Sequence, residues 1–212
     1  MKPRLSNSSN HSSRLQSNRR CSVEIARGFD DIAKVYAIRA AVFLAEQDCP
    51  YDEEFDGNDN CAMHFVGYVG DEPAGVLRAR FFGDFVKLER LAVLKRFRRS
   101  TVAFELVREG IEMARRKGFK KVYGHSREGL EPFWARFGGK PYFGRDKLEF
   151  SDCSYTEMIL ELEPHADAIS IESDGLTIIR PEGDWDRPGV LDRSSARKSK
   201  LRAENIVRGA AA

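Results

Sequence analysis

Apolar and polar positions alternate with different periods along the chain, and each change of period marks an element. Phe29, Ile32, Val35, Tyr36, Val42 and Phe43 recur at helical spacing, which predicts a first helix with Asp30 or Asp31 near its N-cap. The stretch AEQDCPYDEEFDGNDN that follows is too acidic and too marked by Gly and Pro to be an element, and reads as a loop. Beyond it the period falls to two. His64–Val69 and Ala74–Phe82, joined by the turn GDEP, predict an antiparallel hairpin, and Val86–Leu94 a third strand. Ala103, Leu106, Val107, Gly110, Ile111 and Ala114 then trace one helical face, closed by Arg115–Lys117 and Gly118. Phe119–Gly124 reads as a short strand. Leu130, Phe133, Trp134 and Phe137 give a short helix ending at Gly138-Gly139, and Thr156, Met158, Leu160 and Leu162 a final strand.

This order of elements predicts an α/β (α+β) domain over residues 22–164: a single mixed, largely antiparallel sheet with helices on both faces. Residues 1–21 form a basic Ser/Asn-rich tail expected to be disordered. Residues 165–212 form a C-terminal extension, expected to be disordered in part. Its β-like pieces, Ile169–Ile171 and Leu176–Ile179, read either as an added edge strand or as a crossing to a partner chain, which would make a homodimer through the extension.

Composition narrows the function classes. A length of 212 residues suits one domain with extensions, and 42% hydrophobic content can fill its core. A net charge of +2 gives no overall steering toward nucleic acid. No apolar run is long enough for a bilayer and residues 1–20 lack the apolar centre of a secretory signal, so a cytoplasmic protein without a membrane partner is expected. Cys21, Cys49, Cys61 and Cys153 contain no C-x-x-C pair, and with the four histidines they offer no metal-ligand spacing. Reduced thiols and no metal are the expectation.

Candidate chemistry lies in LERLAVLKRFRRSTVAFELV, residues 88–107. A strand runs into a basic turn and then directly into a helix. A helix start carries unpaired N–H groups and the positive end of the summed peptide dipoles, so it favours a phosphate. Arg98 and Arg99, with Lys95 and Arg96, would add charge-assisted bonds, and Ser100 or Thr101 can cap the helix. The turn has no glycine, and four cations there also suit a solvated surface loop.

LAVLKRFRRSTVAFELV resembles the acetyl-CoA-binding segment of the GNAT N-acetyltransferase superfamily, in which a strand ending L-x-V meets (Q/R)-x-x-G-x-(G/A). Arg98 falls on the first position of that motif and Ala103 on the last, while Thr101 stands where glycine is usual. The likeness continues on both sides. VFLAEQDCPYDEEFDGND, His64 and PAGVLRAR are similar to a bacterial subgroup with V-F-x-x-E-Q-x-x-P, D-x-x-D, H and G-x-x-R in that order. ARRKGFKKVYGHS and EPFWARFGGKP resemble the later helix–strand and F-Y-x-x-x-G-F segments. Covering about residues 35–162, the resemblance implies acyl transfer from acetyl-CoA, as co-substrate, to an amine acceptor. It further implies that Leu91, Ala92 and Val93 hold the pantetheine arm. Arg98, Arg99, Ser100, Thr101, Val102 and Ala103 would hold the pyrophosphate, with Phe133 and Trp134 lining the same site.

Attack on a thioester requires a neutral amine and therefore a base. The resemblance puts a carboxylate base at Glu89, which in Lys87-Leu88-Glu89-Arg90 could equally pair with a cation. Glu46, His64 and His125 are further candidates for base or substrate contact. The tyrosine that often protonates the departing thiolate is replaced by Trp134, which is no acid. Either Tyr142 or another group substitutes, or the thiolate leaves unprotonated. Glu46-Gln47 and the acids through Asp59 would form an acidic rim attracting a cationic amine, or merely a solvated loop. Two alternatives stay open: an enzyme like acyl-homoserine-lactone or N-acyl amino acid synthases taking longer acyl donors, and a non-catalytic CoA-binding or interaction module.

Overall fold

The computed structural model describes residues 20–195, so the predicted tail up to Arg19 and the last residues of the extension lie outside the described residues. Two compact units are present, Met1–Ala166 and Asp167–Ala212. In the first, one sheet carries strands β1 (Cys21–Ile25), β2 (Met63–Val69), β3 (Glu72–Phe81), β4 (Val86–Val93), β5 (Lys121–Arg127), β6 (Lys140–Pro141), β7 (Leu148–Phe150) and β8 (Cys153–Glu161). Their order is β1-β2-β3-β4-β5-β8-β6, with β7 also pairing β8. Every pairing is antiparallel except β4 with β5. The predicted fold class is the one observed.

Helix α1 (Phe29–Arg39), which runs on as a π-turn through Ala40–Leu44, covers one face. Val35, Ile38 and Val42 pack there on Val66, Val76 and Ala92. Helix α3 (Val102–Arg116) covers the other face with Leu106, Val107 and Met113 buried. It lies close: a Cβ on Gly110 would come within 2.8 Å of Leu77 and 3.0 Å of Leu88. Trp134, on the short α4 (Glu131–Ala135), is buried on this same face beneath Gly124.

Several local expectations are corrected. An additional edge strand, β1, precedes the first helix; its five residues alternate in burial, but the polar sequence before them hides so short a run. The acidic stretch is not structureless, since it contains α2 (Tyr51–Glu54) and a 3-10 turn at Asp59–Cys61. The expected acids do lie near the N-cap of α1: the cap is Gly28, and Asp31 reaches back to accept from the amides of Arg27 and Gly28. In the second unit, no strand forms among the described residues. Gly175–Ile178 is instead a short helix, α5, because the Asp174 side chain accepts from the Thr177 amide at 3.0 Å. A second short helix, α6, spans Val190–Ser195, and Arg180 is tied to Asp192 at 2.8 Å.

Candidate active site

The sheet opens at its centre. β4 and β5 pair from Val86↔Val122 through Leu88↔Gly124 and no further, although β4 continues to Val93 and β5 to Arg127. Beyond Leu88 a bulge intervenes: Arg90 takes a φ of 55°, and the β3–β4 register slips between Val76 and Arg78. A bulge bends its strand and adds twist, and here it coincides with the end of β4–β5 pairing. Leu91, Ala92 and Val93 thus present an edge toward β5 that has no ladder partner there.

The basic turn follows at once. Lys95–Phe97 make a single 3-10 turn, and α3 begins at Val102. No residue between Lys95 and Ala103 has a positive φ; Thr101 sits at φ −87°, ψ 4°. Glycine is therefore not required for the backbone path. Ser100, not Thr101, does the local capping: its Oγ donates to the Phe97 carbonyl at 2.7 Å and accepts weakly from the Val102 amide at 3.4 Å. The amides of Ala103 and Phe104 lie in the first helical turn, where no intrahelical acceptor exists. Phe133 joins this region through Phe104, 5.0 Å between ring centroids.

The two arginines of the turn differ. Arg99 is exposed and makes no hydrogen bond or ion pair with the described residues. Arg98 is fully engaged: Nε donates to the Val93 carbonyl at 3.1 Å, and both terminal nitrogens grip Glu46 at 2.6 and 2.7 Å. The Arg98 guanidinium in turn holds the Glu46 carboxyl below its ordinary pKa, which makes Glu46 a poor proton acceptor.

The α1 face of the opening carries a mesh of charges. Arg39, wholly buried, binds Glu54 at 2.5 Å and Asp59 at 2.5 Å. Arg78, also wholly buried, binds Asp56 at 2.6 Å, Asp59 at 2.8 Å and Glu89 at 2.8 Å. Arg90 adds Glu54 at 2.9 Å and Asp56 at 3.2 Å. The D-x-x-D and G-x-x-R of the sequence are thus one clamp, in which Arg78 fastens both aspartates. Burial pushes Asp56 and Asp59 up, but hydrogen bonds from Arg78, and for Asp59 from Arg39 as well, outweigh it and leave both lowered. These acids do not form a free rim.

The same mesh constrains two base candidates. One Glu89 oxygen accepts from Arg78, and the other lies 2.7 Å from Lys87 Nζ, so neither is without a cation. His64 is buried, its Nε2 3.1 Å from the Asp59 carbonyl and its Nδ1 without a partner; burial lowers its pKa.

His125 is differently placed. It follows Gly124, the last β5 residue paired with β4, and points to the same face as Lys87 and Glu89. Its Nε2 lies 2.8 Å from the Tyr123 hydroxyl, which donates to Glu157 on β8. Arg145 holds the same Glu157 oxygen at 2.9 Å. Sequence reasoning missed Tyr123 and Glu157. Tyr123 was within reach, because strand periodicity puts residues two apart on one face; Glu157 required the register His125↔Glu157. Tyr142 lies at the far end of this group, under the Arg145 guanidinium at 4.5 Å. Among the described residues, no group of three or more His, Cys, Asp or Glu is arranged to hold a metal, and no helix is long and apolar enough to cross a membrane. A groove of about 610 Å³ between β1 and α3, walled by Glu105, Glu109 and Glu112 among others, lies apart from all the predicted site residues.

Known proteins share this architecture. The acetyltransferase (GNAT) family model matches residues 32–138. A Bacillus subtilis protein named as an acetyltransferase is 30% identical over 111 residues, which span 51% of this chain and 76% of the relative. Among solved structures, a Lactobacillus plantarum protein named as an N-acetyltransferase superposes with a TM-score of 0.62 at 23% identity, over 67% of this chain and 98% of that one. A GNAT family acetyltransferase from Elizabethkingia anophelis, solved with acetyl-CoA bound, gives 0.53 at 14% identity over 67% and 98% of the two chains. At those identities the two structures speak for the fold alone.

Proposed function

The chain belongs to the GNAT acetyltransferase family and is an acyl-CoA-dependent N-acyltransferase, and from that premise we propose acetyl transfer from acetyl-CoA to a primary amine by direct attack within the β4–β5 opening. The observation that carries this reading is the loss of pairing after Leu88 and Gly124, directly beside a basic helix start. The residues present suit the donor. Leu91–Val93 offer an unpaired strand edge to the amides of a pantetheine arm. The first-turn amides of α3 and the unpartnered Arg99 offer donors to a pyrophosphate. Arg98 acts as a strut rather than a ligand, because its guanidinium already joins the end of β4 to Glu46.

The chemistry is balanced without a further reactant. The acceptor ammonium loses one proton, and its nitrogen attacks the thioester carbon. The tetrahedral species then loses a second N–H proton as the C–S bond breaks. The thiolate leaves with the electron pair and takes a proton from water, which a thiol pKa of roughly 8–9 tolerates. Buried Trp134 supplies no acid.

Thermal shift with acetyl-CoA, octanoyl-CoA and free CoA tests the proposal. At about 100 times its dissociation constant a ligand stabilises the fold by roughly 2.7 kcal/mol. Stabilisation by acetyl-CoA at least equal to that by octanoyl-CoA is expected. A preference for octanoyl-CoA would replace acetyl transfer by long-chain transfer, and no shift with any of them would overturn the donor assignment.

A further inference from the structure

The group around His125 fixes a proton. A carboxylate only accepts hydrogen bonds, and Glu157 accepts two, from the Tyr123 hydroxyl and from Arg145. Tyr123 has one hydrogen and spends it on Glu157. Its oxygen can then face the Nε2 of His125, 2.8 Å away, only as an acceptor. A neutral imidazole in that position carries its hydrogen on Nε2 and its lone pair on Nδ1. Nδ1 has no partner among the described residues, and it is not one of the buried polar atoms that lack one, so it is not sealed from solvent.

We propose, on the acyl-transfer reading above, that His125 is the general base, its Nδ1 removing the proton of the incoming ammonium, and that Tyr123 and Glu157 are positioning residues that set which ring nitrogen is free. His125 is the β5 residue at which the sheet opens, on the face it shares with the cross-strand partner Glu157. Edge-on contacts with Tyr123, centroids 5.2 Å apart, and Phe150, 5.8 Å, hold the ring plane. Glu89, the carboxylate suggested by resemblance, is occupied by Arg78 and Lys87.

The surrounding charges suit a base that is neutral at pH 7. Burial lowers the His125 pKa, and Lys87 and Arg90 lower it further, while Glu157 and Glu89 oppose them. Tyr123 is pushed up by burial and by Glu157, so it keeps its hydrogen. Burial alone would raise Glu157, yet the bonds from Tyr123 and Arg145 leave it lowered and ionised.

Nitrogen-15 NMR of the ring, with His125→Asn identifying its signals, reads the tautomer without any acceptor. The expected result is a protonated Nε2 and a lone-pair Nδ1, with Tyr123→Phe mixing the two tautomers. Thiol release from acetyl-CoA is then followed over pH with a panel of primary amines (spermidine, lysine amide, tyramine and a short peptide). His125→Asn should lower kcat/KM about 100-fold or more with the best amine. Glu157→Gln should move the acidic limb to lower pH, because removing the anion lowers the His125 pKa; a merely structural Glu157 would lower the melting temperature and leave the limb in place. A protonated Nδ1, or His125→Asn within twofold of the parent, overturns the proposal. Retained acetyl-CoA thermal shift in these variants assigns such a failure to the base alone, whereas absence of any shift in the parent chain would fail the acyl-transfer reading beneath it.

Discussion

The side of the β4–β5 opening proposed to hold the cofactor comes from one continuous run, Leu91–Ala103, with an unstrained backbone and exposed cations. The α1 face draws Arg39, Glu54, Asp56, Asp59, Arg78, Glu89 and Arg90 from distant elements into a largely buried mesh. The first can lose an exposed cation and keep its shape, because water replaces what is removed, while Ala92, Val93, Phe97 and Val102 in the same run stay buried. The second cannot: each charge there is tolerated only through its partners, and removing one leaves the others buried without compensation. On the proposed reading, the first region meets the ligand and the second holds the walls of the opening in place.

The largest effect should therefore come from Arg78→Met. It leaves Asp56, Asp59 and Glu89 short of a cation and should cost about 3–5 kcal/mol in denaturant unfolding. Arg99→Ala should change stability by no more than about 0.5 kcal/mol. Equal losses would erase the distinction between the two regions.

Acid should act on the same mesh. Asp56 and Asp59 have an ordinary value of 3.8 and are lowered in the fold, so their contribution is complete above that value and is lost as pH falls below it. Melting temperature measured from pH 7 to pH 3 should drop most steeply at the acidic end, and Arg78→Met should flatten that drop. An unchanged slope in the variant would mean that other carboxylates carry it.

On the cofactor side, Arg99→Ala should weaken CoA about fivefold, the size of a partly exposed charge-assisted bond, and leave pantetheine binding unchanged by calorimetry. Equal weakening of both would rule out a pyrophosphate contact. The smallest effect sharpens the comparison most. If Arg98 is a strut, Glu46→Gln should weaken CoA about threefold, as expected for loss of an exposed ion pair. If Arg98 instead turns to the pyrophosphate, removing the competing Glu46 anion should tighten binding.

The same contrast governs what was legible beforehand. The elements of the proposed cradle could be read because they are neighbours in sequence: a strand, a basic turn and a helix at the expected offsets. Even so, the sequence could not tell Arg98 from Arg99, since only folding brings Glu46 to one of them. The acids at Asp56 and Asp59 looked like a rim because their partner, Arg78, lies beyond an intervening strand. Likewise β1 was hidden, being too short to stand out until β2 pairs with it.

By itself the sequence determined the period of the longer strands and helices of the first unit, the mixed sheet and the position of the basic helix start, because these depend on local spacing and backbone chemistry. The tertiary structure decided which charges are spent and which are left for a ligand. It consigned Glu46, Glu89, Asp56 and Asp59 to arginines and left Arg99 and the Nδ1 of His125 without partners. A side chain's chemistry follows from what folding brings within hydrogen-bond reach and how much water it removes, and neither is written in residue order.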